Sequence, residues 1–292
     1  MKDLTIIVPA YNEEASLSVF LPRLLSFVAL HDCQLIVVND GSTDRTLEVL
    51  KIHEAHRGFR YFNHKLNRGY GGAIKTGVRN TETDLVITID ADGQHDLNDI
   101  ETLHRIMVER NADMVVGDRS GQKNASIYRG IGKSLIRMFA KLLLPVHITD
   151  INSGMKIYDA KMAKRYVRLC PDNMAYSDII TLVFISKRHL VTEHPIHVNP
   201  RTEGVSTINT LTAIETLKEI LNIVVLFNPM RIFFPIALLS IGVALAWGIP
   251  IAIRGRGVST GAMLGFTTGL LFFFLGLLAE QLSQIRRDRI DE

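Results

Sequence analysis

Along the first 120 positions, short β-branched apolar runs are separated by longer stretches with helical spacing, the pattern of alternating strands and helices. Leu4–Pro9 reads as a strand, followed by a helix over Ser16–Val28 with Leu17, Phe20, Leu21, Leu24 and Leu25 on one face. Leu35–Val38 reads as a second strand, Thr43–His56 as a helix, and Phe59–Phe62 as a weaker third strand. Gly71–Arg79 begins another helix, Leu85–Asp90 is nearly pure sheet formers, Asp99–Glu109 is helical, and Met114–Gly117 is a further short strand. Such alternation predicts an α/β domain built on a mostly parallel central sheet.

The tail differs. Ile232–Ile253 and Val258–Leu282 are almost free of charge, and each is near the roughly 20 residues that cross a hydrocarbon core as a helix. They predict a two-helix transmembrane hairpin, with Pro235 in the first turn of one helix and Pro250 in its last. Lys218, Arg231, Arg286, Arg287 and Arg289 flank the runs, against Arg254 and Arg256 in the linker. This bias puts both outer flanks on the cytoplasmic side. Ahead of the hairpin, Ile208, Leu211, Ile214, Leu217, Leu221 and Val224 recur at spacings of three and four. That stripe predicts an amphipathic helix, lying in the membrane interface or packed on the soluble domain. The expected layout is a soluble domain over 1–205, a juxtamembrane helix over 206–229, two membrane helices over 230–285 and a cytoplasmic tail over 286–292. The expected location is the plasma (inner) membrane, multi-pass, with the soluble domain facing the cytoplasm.

Composition changes this picture little. The net charge of +3 over 292 residues is too small to argue for nucleic acid. Cys33 and Cys170 form no metal or redox spacing and fit a reducing compartment. The N-terminal apolar stretch reaches only Val8 before Pro9, too short for the core of a signal peptide.

In an open parallel sheet the ligand crevice lies at the carboxyl ends of the strands. That places Pro9–Glu13, Asp40–Asp44, Asp90–His95 and Arg119 on one edge. In Asp90-Ala91-Asp92-Gly93-Gln94-His95, two carboxylates stand at i and i+2 just past a buried strand. They suit Mg²⁺ or Mn²⁺, which takes hard oxygen ligands and completes its shell with substrate phosphates; the plainer alternative is a solvated turn. Asp40 offers an acceptor for a base or ribose, while Ser42, Thr43 or Asp44 serves to cap the following helix. Tyr11 offers a face for stacking, and Glu13 an acceptor or simply charge at a helix start. Asn67-Arg68-Gly69-Tyr70-Gly71-Gly72 lets backbone pass close to a ligand, but it lacks the Gly-Lys-Ser/Thr ending of a P-loop.

Taken in order, Tyr11-Asn12-Glu13-Glu14, Asp40-Gly41-Ser42-Thr43-Asp44, Asn67-x-Gly69-x-Gly71 and Asp90-x-Asp92-x-Gln94-His95 resemble the inverting GT-A glycosyltransferases of family 2, specifically the dolichyl/polyprenyl-phosphate sugar synthases. The resemblance covers about residues 3–205, and the hairpin extends it. It implies that Pro9, Tyr11, Glu13 and Asp40 hold the nucleotide, and that Asp90, Asp92 and Gln94 surround a Mg²⁺ or Mn²⁺ ion and the donor diphosphate. Asn152-Ser153-Gly154-Met155-Lys156 is similar to the family's Ser-Gly-Phe-Arg segment, leaving Lys156 as the cation. Arg201-x-x-Gly204-x-Ser206 resembles the segment before the interfacial helix, which makes Arg201 the first choice for the acceptor phosphate, with Arg119 and Arg129 behind it. The implied activity is metal-dependent, inverting transfer from a UDP- or GDP-sugar to a polyprenyl or dolichyl phosphate, by Asp92, Arg201 and Lys156 at the reacting groups. The implied partners are donor, lipid acceptor and bilayer, with homo-oligomers open. Two other readings stand beside it. A polysaccharide synthase would carry a Gln-x-x-Arg-Trp segment, whereas the sole tryptophan is Trp247 in a membrane run; a non-catalytic scaffold would have no need of the aspartate pair.

Overall fold

The computed structural model describes residues 1–119, 147–197, 228–255 and 257–291, with isolated positions at 218, 221, 224 and 225. The described residues fall into two compact units, one up to position 218 and one from position 221 onward.

The first unit alternates strands and helices as the pattern predicts: β1 (Leu4–Ala10), α1 (Glu14–His31), β2 (Gln34–Asn39), α2 (Thr46–Ile52), β3 (Phe59–Asn63), α3 (Tyr70–Arg79), β4 (Leu85–Thr88), α4 (Leu97–Glu109) and β5 (Met114–Asp118). It continues with β6 (Lys156–Asp159), α5 (Ala160–Tyr166), α6 (Tyr176–Ser186) and β7 (Val191–Pro195). The strands form one sheet in the order β3-β2-β1-β4-β6-β5-β7. β1 pairs in parallel with both β2 and β4, and β2 with β3. β6 runs antiparallel to both of its neighbours, β4 and β5, while β7 is parallel to β5. The mostly parallel sheet expected from the sequence therefore has one reversed strand, fifth of the seven.

Both faces of the sheet are covered, as parallel strands require. Leu4, Ile6 and Val8 of β1 join Leu17, Leu21 and Leu24 of α1 and Ile100 and Leu103 of α4 in one buried cluster. On the other face, α3 comes so close to β1 that a Cβ at Gly77 would stand 2.5 Å from Ile7 Cγ2. Each fully buried aliphatic side chain contributes about 1.5–3 kcal/mol. The chain runs outward from β1 to β2 and β3, then returns to place β4 on the other side of β1. That reversal is where open α/β sheets leave a crevice at their carboxyl edge.

The second unit contains α7 (Met230–Ile253) and α8 (Thr260–Asp291). The most apolar 18-residue stretches of α7 and of the Thr260–Ile285 part of α8 have mean hydropathy of 2.3 and 2.0. At about 1.5 Å per residue each exceeds the roughly 30 Å of a bilayer core. Because α7 begins at Met230, Pro235 falls in its second turn rather than its first. The helices meet along small residues. A Cβ at Gly265 would lie 3.1 Å from Ala244 Cβ, one at Gly248 2.8 Å from Ala262 Cβ, and Ser240 Oγ donates to Gly265 O at 2.8 Å. Close approach of backbones is how helices associate in lipid, where burial of apolar surface gives no net drive. Leu239 and Trp247 lie on the exposed outside. The predicted amphipathic helix lies almost wholly outside the described residues, as do Arg129, Arg201, Gly204 and Ser206.

Candidate active site

Two turns at the carboxyl edge are tied to each other by the chain's own hydrogen bonds. Asn12 takes a left-handed φ of 55°, a conformation that asparagine tolerates better than most residues. Its Oδ1 accepts from Thr43 N at 2.8 Å, and its N–H reaches Ser42 Oγ at 2.9 Å. Glu13 N donates to Thr46 Oγ1 at 2.9 Å. Asp44 accepts from Thr46 N and Oγ1 with one oxygen and from Glu14 N with the other. It thus satisfies free N–H groups at the starts of both α1 and α2, the capping task expected from sequence but done twice. Tyr11 emerges between these turns 47% exposed, its ring available for stacking. Pro9 is buried within β1, and Glu13 is the residue before α1.

Asp40 is 2% exposed, and its carboxylate is engaged by the protein itself. It accepts from Arg68 N at 3.0 Å, Gly69 N at 2.8 Å and His64 Nδ1 at 2.6 Å. The residue expected to hold a nucleotide directly therefore anchors the glycine-rich loop. The glycines of that loop are explained the same way. A Cβ at Gly69 would stand 2.5 Å from Asp172 O, one at Gly71 would strike Pro171 O, and one at Gly41 would stand 2.6 Å from Asn67 N. Gly72 N donates to Asp172 O at 3.0 Å, and the Lys75 ammonium pairs with Asp172 at 2.6 Å. The close backbone approach that glycine permits is made to another segment of the chain.

Asp90 is the contrasting carboxylate. It follows β4 at the reversal of strand order, is 34% exposed, and has the Tyr70 hydroxyl at 3.0 Å and His95 Nε2 at 3.5 Å. Gly93 makes the turn with φ 70°, and Gln94 N donates to Asp92 Oδ1 at 3.1 Å. Gly154 faces Asp90 so closely that a Cβ there would stand 2.5 Å from Oδ2; the expected Ser-Gly segment thus leaves the carboxylate its space. Burial works to raise the Asp90 pKa. The hydrogen bond and charge of His95, the Tyr70 hydroxyl and Arg119 outweigh it and hold the carboxyl below its ordinary range.

Arg119 sits at the end of β5 and joins this corner. Its Nε and Nη2 meet the two oxygens of Asp150 at 2.7 and 3.1 Å, and Nη2 also donates to Asn152 O at 2.9 Å. Burial acts against its charge, but Asp150 and then Asp90 more than compensate, so the guanidinium stays firmly cationic. Lys156, expected as a cation at the substrates, has a different task. It is 1% exposed, and its ammonium donates to Ile151 O and Ser177 O, fastening the 151–154 turn to α6. Burial lowers its pKa to about 7, against the opposing charges of Asp178 and Asp150. It braces the site from below.

The Asp90 corner suits a hard divalent cation. Among the described residues no cluster of three or more His, Cys, Asp or Glu side chains is arranged to hold a metal ion. Asp90 and Asp92 supply carboxylates, and an octahedral ion in such a site takes the rest of its shell from water and phosphate. The Gly154 opening and His95 fit this. His95 is 3% exposed, and its Nδ1 has no hydrogen-bond partner among the described residues. Sequence reasoning missed His64, Tyr70 and Asp150. Their only signal was position, at the end of β3, the start of α3 and beside the Ser-Gly segment.

Residues 5–167 match the family model Glycosyl transferase family 2, and residues 228–285 match the GtrB C-terminal hairpin. An undecaprenyl-phosphate 4-deoxy-4-formamido-L-arabinose transferase of Pectobacterium atrosepticum is 27% identical over 303 residues, covering 99% of this chain and 90% of the relative. An uncharacterized protein of Methanocaldococcus jannaschii is 31% identical over 172 residues, covering 56% of this chain and 68% of the relative. Among solved structures, glucosyl-3-phosphoglycerate synthase from Mycobacterium tuberculosis in complex with Mn²⁺, UDP-glucose and phosphoglyceric acid superposes with a TM-score of 0.60 at 16% identity, covering 76% of this chain and 80% of the other. At that identity the likeness establishes the GT-A fold.

Proposed function

We propose that this chain, which belongs to glycosyl transferase family 2, transfers a sugar from a nucleoside-diphosphate donor to a polyprenyl phosphate at the cytoplasmic face of a membrane. The observation that carries the reading is the open Asp90 corner, with Asp92 beside it and the Arg119–Asp150 pair at its wall. Two further facts support it: a relative matched over 99% of this chain is an undecaprenyl-phosphate sugar transferase, and the apolar tail matches a hairpin family.

Asp90 and Asp92, with Gln94 near them, hold the cation, Mg²⁺ or Mn²⁺. When bound, it acts as a Lewis acid on the diphosphate and offsets the charge that grows as this group leaves. Tyr11 stacks on the base, with Pro9 and Glu13 beside it; Asp40 shapes this pocket through the glycine-rich loop it holds. Arg119 faces the diphosphate oxygens, while Lys156 keeps the 151–154 turn in place. Arg201, with Arg129, grips the acceptor phosphate and brings one anion to another. The acceptor phosphate oxygen forms a bond to C1 of the sugar as the bond from C1 to the diphosphate oxygen breaks. The electron pair leaves with the nucleoside diphosphate, and the anomeric configuration inverts. A lipid phosphate is already ionised near neutral pH, so this attack proceeds without a strong general base; transfer to a hydroxyl would need one.

A membrane hairpin fits such an acceptor. Pulling a polyprenyl chain into water would cost about 0.8 kcal/mol per CH₂, whereas an enzyme held at the bilayer meets the phosphate where it lies. The test is a donor screen with the full chain in nanodiscs containing undecaprenyl phosphate, reading lipid-linked sugar by mass. One UDP- or GDP-sugar is expected to give product, and chelator to stop it. Failure of every donor, or turnover indifferent to chelator, would overturn the reading.

A further inference from the structure

Outside the Asp90 corner, His64 is a titratable group at the sheet edge that joins three elements and has no part in the chemistry above. It follows β3 and is buried. Its N–H donates to Asn39 O at 2.9 Å, which fixes its backbone to the end of β2. The ring spans two elements: Nδ1 lies 2.6 Å from Asp40 Oδ1, and Nε2 lies 2.8 Å from Thr76 Oγ1 on α3. A carboxylate only accepts, so Nδ1 is the donor in the first bond. Thr76 Oγ1 also stands 3.1 Å from Gly72 O, one turn earlier in α3.

Asp40, oriented by that ring, receives the N–H groups of Arg68 and Gly69. Gly69 immediately precedes Tyr70, the first residue of α3, whose hydroxyl donates to Asp90 Oδ1 at 3.0 Å. His64 thus touches α3 twice, through the loop that enters it and directly at Thr76. Two anchors on one helix set the direction of its first turn, and with it the aim of the Tyr70 hydroxyl. Groups behind a metal's carboxylate ligands orient them and tune affinity.

We propose that His64 is a positioning residue for the cation site, acting through Asp40 and the Arg68–Gly69 backbone to hold the Tyr70 hydroxyl on Asp90. This rests on the reading of Asp90 given under Proposed function. Without the imidazole the loop stays attached, because Gly72 N still meets Asp172 O and Lys75 still pairs with Asp172. What is lost is the aim of Tyr70.

The experiment is a double-mutant cycle on the purified full chain in nanodiscs. It reads Mn²⁺ affinity in the presence of UDP by electron paramagnetic resonance, with thermal unfolding as a check on the fold. Tyr70→Phe and His64→Ala are each expected to weaken Mn²⁺ binding about tenfold, the scale found for groups that orient metal ligands. The double variant is expected to be no weaker than Tyr70→Phe alone, since His64 has nothing left to position. Should His64→Ala fail to fold, Thr76→Val takes its place in the cycle, with a smaller loss in the same direction and the same lack of additivity. Fully additive losses, or a folded His64 or Thr76 variant that binds Mn²⁺ like the wild type, would overturn the proposal while leaving the function intact. A wild-type protein that binds no Mn²⁺ with UDP would overturn both.

Discussion

Asp40 and Asp90 look alike in sequence, each standing at the end of an apolar strand and followed within three residues by a glycine. Folded, they are opposites. Asp40 is 2% exposed and surrounded by donors from its own chain, two main-chain N–H groups and an imidazole. Asp90 is one-third exposed, with the Tyr70 hydroxyl on Oδ1 and, beside Oδ2, only the longer 3.5 Å approach of His95 Nε2 and the side-chain-free Gly154. A carboxylate with its hydrogen bonds satisfied internally stabilises a loop; one left partly open at a crevice has capacity for a ligand. The position of an aspartate at a sheet edge marks the neighbourhood of a site, and the donors around it decide its role.

Substitutions at the two corners should therefore differ most in what they cost the fold. Asp92→Ala removes one of the two carboxylates assigned to the cation, and turnover in nanodiscs is expected to fall by about 10²–10³-fold or more. The thermal midpoint should barely move, because this turn is at the edge and partly exposed. Unchanged lipid-linked product from the folded variant would break the comparison on the Asp90 side. Asp40→Ala is the converse case. It leaves two N–H groups and a buried imidazole without their acceptor, a loss on the order of 3 kcal/mol of unfolding free energy. A denaturant midpoint equal to that of the wild type would show that those bonds carry no stability.

Gly154→Ala sharpens the contrast on the open side. Its new Cβ would stand 2.5 Å from Asp90 Oδ2, closer than any carbon tolerates, so carboxylate or turn must shift. The expected result is at least a tenfold weaker Mn²⁺ dependence of turnover, with a stability loss of about 1–3 kcal/mol from overpacking. The same change at Gly242, where a Cβ meets nothing within 4 Å, is the control. Equal effects at both positions would mean that the space beside Asp90 has no functional weight.

The sequence was most legible where local pattern and global fold agree. β1 to β5 and α1 to α4 follow the apolar periods to within a few residues, because each buries a face that its own pattern defines. β6 was not read. It has four residues, and its place between β4 and β5, antiparallel to both, depends on a long-range pairing that no local period encodes. The site divides similarly. The Asp90–Asp92 motif and the Ser-Gly segment, read separately in the sequence, meet in the fold, where a Cβ at Gly154 would stand 2.5 Å from Asp90 Oδ2. Lys156 was misleading: a cation in a motif suggests charge at the substrate, while burial turns this one to main-chain carbonyls. His64 and Tyr70 act through partners distant in sequence, Asp40 and Asp90, and spacing does not reveal them.

The finest test of the comparison lies at Asp44, which closes the same turn as Asp40 yet is only half-buried. Burial pushes its pKa up, but the Thr46 hydroxyl, the Thr46 amide and the Glu14 amide outweigh it and hold the carboxyl below its ordinary value. A folded-state pKa below the unfolded one means the unfolded chain binds the proton more tightly. The ionised carboxylate then contributes in full above the unfolded value, near 4 for an aspartate, and its contribution fades as pH falls through the lower folded value. Asp44→Ala removes a cap from two helix starts, worth about 1 kcal/mol at pH 7. The gap between variant and wild type should narrow as unfolding is repeated toward pH 3. A gap constant across that range would show that Asp44 holds its two helices by shape alone, without help from its charge.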